Sequence, residues 1–152
     1  PPQHVLLLGL GGGSVPAILR EELGLKMPVT VVEWDAAMIQ LARTHFALDR
    51  HPAMELIQGD ATVQVHALAR QFDLVLVDLF DDLDLARGVD SRAFLQGLRT
   101  RCAPGGLLCF NTVAYDDASD ARCQTVHDQA QKAFKYVHEL QLEGMNRVFI
   151  CS

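Results

Sequence analysis

The sequence predicts an α/β fold in which a mostly parallel sheet carries helices on both faces. Apolar runs alternate with helical patterns five times along the chain, as in repeated β-α units. The first run, residues 5–8, is apolar at every position, which is typical of a strand buried on both faces of a sheet. The last two runs are joined by a short connection, which permits only antiparallel pairing.

Seven segments are predicted as strands because they are apolar and bounded by Gly, Pro, Asp or Asn. They are Val5–Leu8, Val29–Glu33, Met54–Gln58, Asp73–Val77, Leu107–Thr112, Tyr136–Leu142 and Arg147–Cys151. Helices are predicted over 14–23, 36–46, 62–70, 91–101 and 119–134. Ser14 and Asp35 are the expected N-caps of the first two helices. An acidic loop is expected at 79–90, and turns are expected at 104–106 and 143–146.

The composition favours one domain covering residues 1–152. The net charge of −6, from 13 basic and 19 acidic residues, argues against nucleic acid as a partner. No apolar run is long enough to span a membrane and no signal peptide is visible, so we expect a cytoplasmic protein. The four cysteines form no CxxC pair and the six histidines are scattered, so no metal site is expected. Since the sequence starts without Met just before an apolar strand, we expect it to be part of a longer chain.

Unusual residues follow four consecutive strands at their carboxyl ends, where open parallel sheets bind ligands. The first strand runs into the glycine-rich segment 9–14, the second ends in Glu33, and the third and fourth lead into Asp60 and Asp78. Glycines admit ligand atoms close to the backbone. Glu33 has the spacing of a carboxylate that accepts hydrogen bonds from ribose hydroxyls. Asp60 has the chemistry to accept from the exocyclic amine of adenine, so the sequence predicts a nucleoside site here.

Each of these features also has a purely structural interpretation. A glycine cluster can form only a tight turn, and Glu33 can be a solvated strand end. Asp60 can cap the next helix. Trp34 can pack against the protein rather than on a ligand. The remaining loop aspartates and most histidines are expected to be solvated, capping or packing residues, among them Asp82, Asp84, Asp90, His45 and His66.

Two nucleoside ligands compete for the predicted site. The glycine-rich segment matches the dinucleotide pattern G-x-G-x-x-G only with Ser14 in the third glycine position, which makes a nicotinamide dinucleotide the weaker hypothesis. The sequence shows no Lys or Arg near the site to meet a pyrophosphate. Carboxylates there favour a cationic adenosyl-sulfonium ligand, because opposite charges about 4 Å apart attract by about 4 kcal/mol at an effective dielectric near 20.

Four motifs together resemble the spermidine synthase family. They are Val5–Ser14, Val31–Asp35, Gln58–Ala61 and Phe72–Asp78. That family has the class I S-adenosylmethionine-dependent methyltransferase fold. The resemblance implies a three-layer, doubly wound, Rossmann-like sheet of seven strands in the order 3-2-1-4-5-7-6, with the last strand antiparallel.

The resemblance also implies roles for individual residues. The implied cofactor-binding residues are Gly9, Gly11, Gly13, Glu33, Asp60 and Ala61. The three glycines would line the methionine-derived part of the cofactor, and the other three would meet its ribose and adenine. Asp78 matches the catalytic aspartate of the family, and Asp81 matches a second, amine-binding aspartate.

Two differences from the family bear on the reaction. Gly12 stands where the family loop carries an Asp that helps to hold the aminopropyl end of the donor, and the family's small N-terminal β-domain is absent from 1–152. We expect a transferase domain that binds S-adenosylmethionine or its decarboxylated form. It would transfer an aminopropyl or methyl group to an amine or another small acceptor, with polyamine biosynthesis as the setting.

Other functions remain open at this point. They are a methyltransferase without polyamine activity, a non-catalytic nucleoside-binding or interaction domain, and a nicotinamide-dependent oxidoreductase. Binding of S-adenosylmethionine, its decarboxylated form or a nicotinamide dinucleotide separates these classes. A homodimer is also left open as a partner arrangement.

Overall fold

A computed structural model of the chain describes residues 2–45, 48–50, 53–142 and 144–152. Within these ranges, seven strands form one mixed sheet: β1 Val5–Leu8, β2 Val29–Glu33, β3 Met54–Gln58, β4 Phe72–Val77, β5 Cys102–Val113, β6 Val137–Gln141 and β7 Asn146–Cys151. Their order is β3-β2-β1-β4-β5-β7-β6. Strands β1 to β5 are parallel, and β7 is antiparallel to both β5 and β6. The predicted strand order and the antiparallel last strand are confirmed.

Helices cover both faces of this sheet. They are α1 Ser14–Ala17, α2 Ala36–His45, α3 Ala61–Ala67, α4 Arg92–Arg101 and α5 Asp117–Ala133. Helix α1 continues as a π-helical segment, Ile18–Glu22, and Leu48–Arg50 forms a 3-10 turn. Helices α1 and α2 pack on one face, and α3, α4 and α5 pack on the other. The three-layer arrangement is therefore as predicted.

Strand β1 shows why its sequence is apolar at every position. Successive side chains of a strand point to opposite faces. Val5 and Leu7 pack in the core under α1 and α2, whereas Leu6 and Leu8 pack in the core under α3 to α5. All four are 0% exposed. Burying each such side chain stabilises the fold by about 1.5–3 kcal/mol, so the central strand belongs to both cores.

Several predicted helix boundaries are wrong. Gly13, at φ +81°, is the N-cap residue of α1 and makes no side-chain cap, so Ser14 is the first helical residue rather than the cap. Helix α3 ends at Ala67 instead of residue 70, because Leu68 is extended. Asp35 does cap α2, since its Oδ1 accepts from Ala37 N at 2.8 Å. The expected end of that helix at Phe46 lies outside the described residues.

Helix α5 begins two residues earlier than predicted because Asp116 caps it. Asp116 Oδ1 accepts from Ser119 N at 2.8 Å, and Ser119 Oγ accepts from Asp116 N at 3.0 Å, which makes a reciprocal capping box. Helix α4 begins at Arg92, one residue later than predicted, because Ser91 is its N-cap, with Phe94 N donating to Ser91 Oγ at 3.2 Å. Between β6 and β7, Glu143 of the expected 143–146 turn lies outside the described residues.

The turn predicted at 104–106 is an insertion inside strand β5. Phe72 pairs with Cys102, and Leu74 pairs with Leu107, so residues 103–106 lie opposite Asp73 alone. Gly105 has φ +77°, a left-handed conformation that glycine adopts readily. The strand therefore starts at Cys102, five residues before the expected start, and the insertion is accommodated without ending the pairing with β4.

The acidic loop after β4 is more ordered than the sequence indicates. Phe80–Asp81 pairs antiparallel with Asp84–Leu85 and forms a two-stranded ribbon. Arg122 on α5 holds the segment after the ribbon, since its Nε lies 3.1 Å from Asp90 Oδ2 and its guanidinium donates to the Leu85 carbonyl. The ribbon is thereby tied to α5 beside the carboxyl end of β4.

Asp73 anchors the segment that leads into β1, and this contact should make the stability of the protein depend on pH. Its Oδ2 accepts hydrogen bonds from His4 N and Gln3 N, each at 2.9 Å, and these bonds lower the pKa of Asp73 below its ordinary value of 3.8. The stability that ionised Asp73 contributes is present above pH 3.8 and is lost as the pH falls through the lower folded-state pKa. In urea unfolding from pH 7 to pH 2, Asp73→Asn should be less stable than the wild type at pH 7, and the difference should shrink in acid. An equal difference at every pH contradicts this role.

No described helix combines the length and hydropathy needed to cross a bilayer. Nor do the described residues contain a cluster of three or more His, Cys, Asp or Glu side chains suited to a metal ion.

Candidate active site

A cavity of about 160 Å³ opens at the carboxyl ends of β2, β3 and β4. Its walls include Trp34, Asp60, Ala61, Phe80, Asp81 and Arg87. Three residues proposed from the sequence, Asp60, Ala61 and Asp81, therefore lie around one space. The others lie outside the cavity wall. Glu33 is the last residue of β2, the glycines lie on the loop after β1, and Asp78 follows β4.

Glu33 is a buried carboxylate that joins two of these loops. It is 7% exposed, its Oε2 accepts from Leu10 N at 2.9 Å, and its Oε1 accepts from Asp35 N at 2.9 Å. The alternative of a solvated strand end is therefore wrong. Each carboxylate oxygen has two lone pairs, so each can accept one more hydrogen bond. Glu33 thus holds the glycine-rich loop in place and still has capacity for ribose hydroxyls, which remains a prediction.

Asp60 is the N-cap of helix α3, and the structural interpretation of this residue is confirmed. Its Oδ1 accepts from Thr62 N at 2.8 Å and from Thr62 Oγ1 at 2.7 Å. Within the described ranges, Oδ2 has no hydrogen-bond partner. Since Asp60 also lines the cavity, this second oxygen is the one that could accept from an adenine amine. Capping and ligand binding are compatible here.

The three predicted cofactor glycines occupy different environments. All have positive φ: +94° at Gly9, +51° at Gly11 and +81° at Gly13. A Cβ on Gly9 would lie 2.1 Å from the Asp78 carbonyl oxygen, so the protein backbone fills the space beside this glycine. A Cβ on Gly11 would meet no atom within 4 Å. Gly9 therefore permits close contact between the β1 and β4 loops, and Gly11 is the glycine that leaves open space.

Asp78 follows β4 and is held by a side chain that the sequence analysis did not identify. Asn111 Nδ2 donates to Asp78 Oδ1 at 2.8 Å, and Asn146 Nδ2 donates to Asn111 Oδ1 at 3.0 Å. The sequence carries one signal for Asn111: it is a polar amide near the end of the otherwise apolar segment 107–112. Asp78 itself is exposed to solvent.

Asp81 lies on the ribbon, where its exposed side chain borders the cavity. Across the ribbon, the carboxylate of Asp84 lies near the hydroxyl of Tyr115, a second residue that the sequence analysis missed. Partial desolvation and the neighbouring carboxylates of Asp84 and Asp116 raise the pKa of Tyr115 above its ordinary value of 10. The Tyr115 hydroxyl therefore keeps its proton at neutral pH.

Trp34 and Arg87 complete the cavity wall. Trp34 is 70% exposed, so it does not pack into the core. Arg87 corrects the expectation that no Lys or Arg lies near the site. The reason is topological, because the ribbon folds back and brings the segment after it to the cavity. Asp60 and Asp81 on the same wall still outnumber this single cation.

A model of the methyltransferase domain family matches residues 5–106, about two thirds of the chain. Among curated proteins, the chain is 26% identical to a polyamine aminopropyltransferase of Vibrio vulnificus over 98% of the chain and 50% of that protein. It is 28% identical to the eEF1A lysine and N-terminal methyltransferase of Danio rerio over 99% of the chain and 23% of that protein. The chain thus spans half or less of the length of these two relatives.

The fold is also that of solved methyltransferase structures. Human methyltransferase-like protein 13, solved in complex with SAH, superposes with a TM-score of 0.83 and 22% identity over 100% of the chain and 72% of that protein. The predicted class I methyltransferase fold and the resemblance to the spermidine synthases are both confirmed. The expected class of S-adenosylmethionine-dependent transferase is also confirmed at the level of the family. The chain belongs to the methyltransferase domain family.

Proposed function

We propose that this chain binds S-adenosylmethionine at the carboxyl ends of β1 to β4 and transfers the methyl group to an amine beside Asp78 and Asp81. The observation that carries the proposal is the cavity, which combines an aromatic wall at Trp34 with the carboxylates of Asp60 and Asp81. The apolar and aromatic surface suits a purine. The carboxylates suit the amine of adenine and the positive charges of a sulfonium and an acceptor amine.

The residues present fit an adenosyl cofactor. Trp34 offers an exposed ring for stacking on adenine, and Asp60 Oδ2 is free to accept from the adenine amine within the described part of the chain. Glu33 can accept from both ribose hydroxyls while it keeps its backbone hydrogen bonds. When bound, the cofactor supplies an electrophilic carbon attached to a positively charged sulfur.

The glycine-rich loop favours S-adenosylmethionine over its decarboxylated form. Segment 9–14 carries no acidic side chain, and the first turn of α1 has none either. The backbone N–H groups of Gly11, Gly12 and Ser14 make no hydrogen bond to described residues. These donors match the carboxylate of S-adenosylmethionine, whereas the decarboxylated donor ends in an ammonium that would find no carboxylate there. We therefore place methyl transfer ahead of aminopropyl transfer.

Asp78 and Asp81 would act on the acceptor amine. Asp78 Oδ2, to which no described residue donates a hydrogen bond, would accept a hydrogen bond from the amine and direct the nitrogen lone pair at the electrophilic carbon. Asp81 binds a second N–H group or positive charge on the acceptor. With the donor bound, the amine nitrogen would take the carbon from the sulfur, the sulfur would keep the electron pair of the broken bond, and Asp78 or solvent would take the proton that the nitrogen loses. Positioning and charge placement supply the catalysis.

Aminopropyl transfer is the second candidate, favoured by the pair Asp78 and Asp81 and by the similarity to the Vibrio vulnificus aminopropyltransferase. Incubation with each donor and a panel of putrescine, spermidine and a lysine-containing peptide separates the two. We expect S-adenosylhomocysteine from S-adenosylmethionine and no methylthioadenosine from the decarboxylated donor. Methylthioadenosine formation would establish aminopropyl transfer instead, and failure to bind either donor would contradict both.

Cofactor binding can be followed without any labelling, because Trp34 is the only tryptophan in the sequence. Titration with S-adenosylhomocysteine should quench its fluorescence to saturation, whereas NADH should produce no saturable change. Since stacking of a base on an aromatic ring is worth about 1–3 kcal/mol, Trp34→Leu should weaken binding roughly 5- to 150-fold by calorimetry. Tyr136→Leu is the matched control, being an exposed aromatic remote from the cavity. Unchanged affinity in Trp34→Leu would contradict stacking at this residue.

The proposal includes a cytoplasmic location and a small amine acceptor within polyamine or related amine metabolism. It includes neither nucleic acid nor membrane as a partner, and it leaves a homodimer open. Free thiols at Cys102, Cys109, Cys123 and Cys151 are consistent with a reducing compartment. Cell fractionation tests the location, and light scattering of the purified chain tests the oligomeric state.

A further inference from the structure

Two asparagines form a hydrogen-bonded chain that ends on the carboxylate of Asp78. Asn146 Nδ2 donates to Asn111 Oδ1 at 3.0 Å, and Asn111 Nδ2 donates to Asp78 Oδ1 at 2.8 Å. Both asparagines are partly buried, whereas Asp78 is exposed. An exposed carboxylate ordinarily samples several rotamers, so its attachment to two partly buried side chains restricts the directions it can take.

The sheet register brings these three residues together. Val77 pairs with Phe110 in the parallel β4–β5 ladder, so Asp78 and Asn111 are the next positions along the two strands. In the antiparallel β5–β7 ladder, Asn111 pairs with Val148 and Val113 pairs with Asn146. Asn111 and Asn146 are therefore diagonal neighbours on one face of the sheet, a distance that side chains can bridge.

The chain of hydrogen bonds has one consistent direction. An ionised carboxylate only accepts, so the Asn111 amide must present its NH₂ group to Asp78. Its carbonyl oxygen then points away from Asp78 and accepts from Asn146. If Asn146 were absent, the carboxylate would still require the NH₂ group of Asn111, but the amide would be held at one end only. Asn146 thus holds the other end of the Asn111 amide and restricts its motion.

We propose that Asn111 and Asn146 are positioning residues for the transfer reaction: they hold Oδ1 of Asp78 so that Oδ2 is presented to the acceptor amine. This inference rests on the proposed function, because it needs Asp78 to meet an amine. Small displacements of a reacting group lower rates strongly, up to about 100-fold for 1 Å. Loss of the Asn111 donor should therefore lower kcat about 10- to 100-fold.

The experiment compares Asn111→Leu, Asn146→Leu and their double variant with the wild type, using S-adenosylmethionine and the panel amine that turns over. Asn111→Leu should lower kcat as stated, and Asn146→Leu should lower it less, because the Asn111 donor remains. The double variant should match Asn111→Leu, because Asn146 acts only through Asn111. The affinity for S-adenosylhomocysteine, read from Trp34 fluorescence, should change less than twofold in all three.

Two further variants separate positioning from general stability. Thr112→Val removes the hydrogen bond from Thr112 Oγ1 to the Arg147 carbonyl on the same pair of strands, and it should keep the wild-type kcat. In an Asp78→Asn background, Asn111→Leu should cause no further loss of kcat. Wild-type kcat in Asn111→Leu would overturn the inference, and so would a full additional loss in the Asp78→Asn background.

A readout without turnover keeps the inference distinct from the proposed function. By ¹⁵N relaxation, the side-chain amide of Asn111 should be ordered in the wild type and in Thr112→Val. It should become mobile in Asp78→Ala and in Asn146→Leu. Equal mobility in all four proteins overturns the positioning role. Absence of turnover in a wild type with an ordered Asn111 amide instead counts against the proposed function alone.

Discussion

Replacing Asp78 by Asn should lower kcat about 100- to 1,000-fold and leave the affinity for S-adenosylmethionine unchanged. General acid–base and orienting groups contribute rate factors of this size. Asp78 lies outside the cavity wall, where only the acceptor amine would need it, whereas Trp34 and Asp60 line the cavity that we propose for the nucleoside. The amide keeps the shape of the side chain and removes the negative charge that orients the amine. The effect therefore belongs in kcat rather than in cofactor binding.

Turnover with the active panel amine and Trp34 fluorescence give the two quantities separately. Asp82→Asn is the matched control, because it makes the same chemical change in the ribbon turn. Its φ of +55° suits asparagine as well as aspartate. Asp82→Asn should retain wild-type kcat. If Asp78→Asn turned over amine at the wild-type rate, the catalytic assignment would be wrong.

Replacing Gly9 by Ala should destabilise the protein by about 3 kcal/mol and abolish turnover. A Cβ there would lie 2.1 Å from the Asp78 carbonyl oxygen and 2.9 Å from its carbon, both backbone atoms that have no rotamer to change. The positive φ of +94° adds strain for any residue with a Cβ. Backbone strain and overpacking each cost about 1–3 kcal/mol. Relief of the clash requires the β1 and β4 loops to separate, which displaces Asp78.

Two other glycines, Gly24 and Gly11, separate the cost of a positive φ from the cost of the clash with the Asp78 backbone. Gly24 has φ +63°, and a Cβ there would meet no atom within 4 Å. Gly24→Ala should therefore lower the free energy of unfolding only by the cost of the strained backbone, about 1 kcal/mol. Gly11→Ala, with φ +51° and open space, should have a similar small cost in urea unfolding but should weaken cofactor binding. Equal free energies of unfolding for Gly9→Ala and Gly24→Ala would show that the clash with the Asp78 backbone does not destabilise Gly9→Ala.

The positions of the strands were predictable because each strand has a local signature, whereas their order was implied by the resemblance to the spermidine synthases. Segment 5–8 is apolar at every position and marks the centre of a parallel sheet, and the short connection between the last two strands requires antiparallel pairing. Met54–Gln58 and Val29–Glu33 were predicted with the bounds that the structure has. Helix ends were less predictable, since Leu68 leaves the helix in an extended conformation and Asp116 starts α5 earlier than the apolar pattern indicates.

The residues of the candidate site likewise fall into those that the sequence predicted and those that it missed. Residues directly after strands, such as Glu33, Asp60 and Asp78, were found because parallel strands deliver their carboxyl ends to one edge of the sheet. Arg87 was missed because it reaches the cavity only through the fold of the ribbon. Asn111 and Asn146 were missed because their contact depends on the register between β5 and β7.

Local sequence alone thus determined the fold class, the positions of the strands and the edge of the sheet where polar side chains gather, whereas the strand order came from the resemblance to the spermidine synthases. The first three follow from the periodicity of apolar residues and from glycines and acids at strand ends, which act over a few residues. The tertiary structure decided which side chains share a space or a hydrogen bond. Trp34 with Arg87, Gly9 with Asp78, and Asn111 with Asn146 are brought together by ladder register and loop packing, which depend on contacts between residues far apart in the chain.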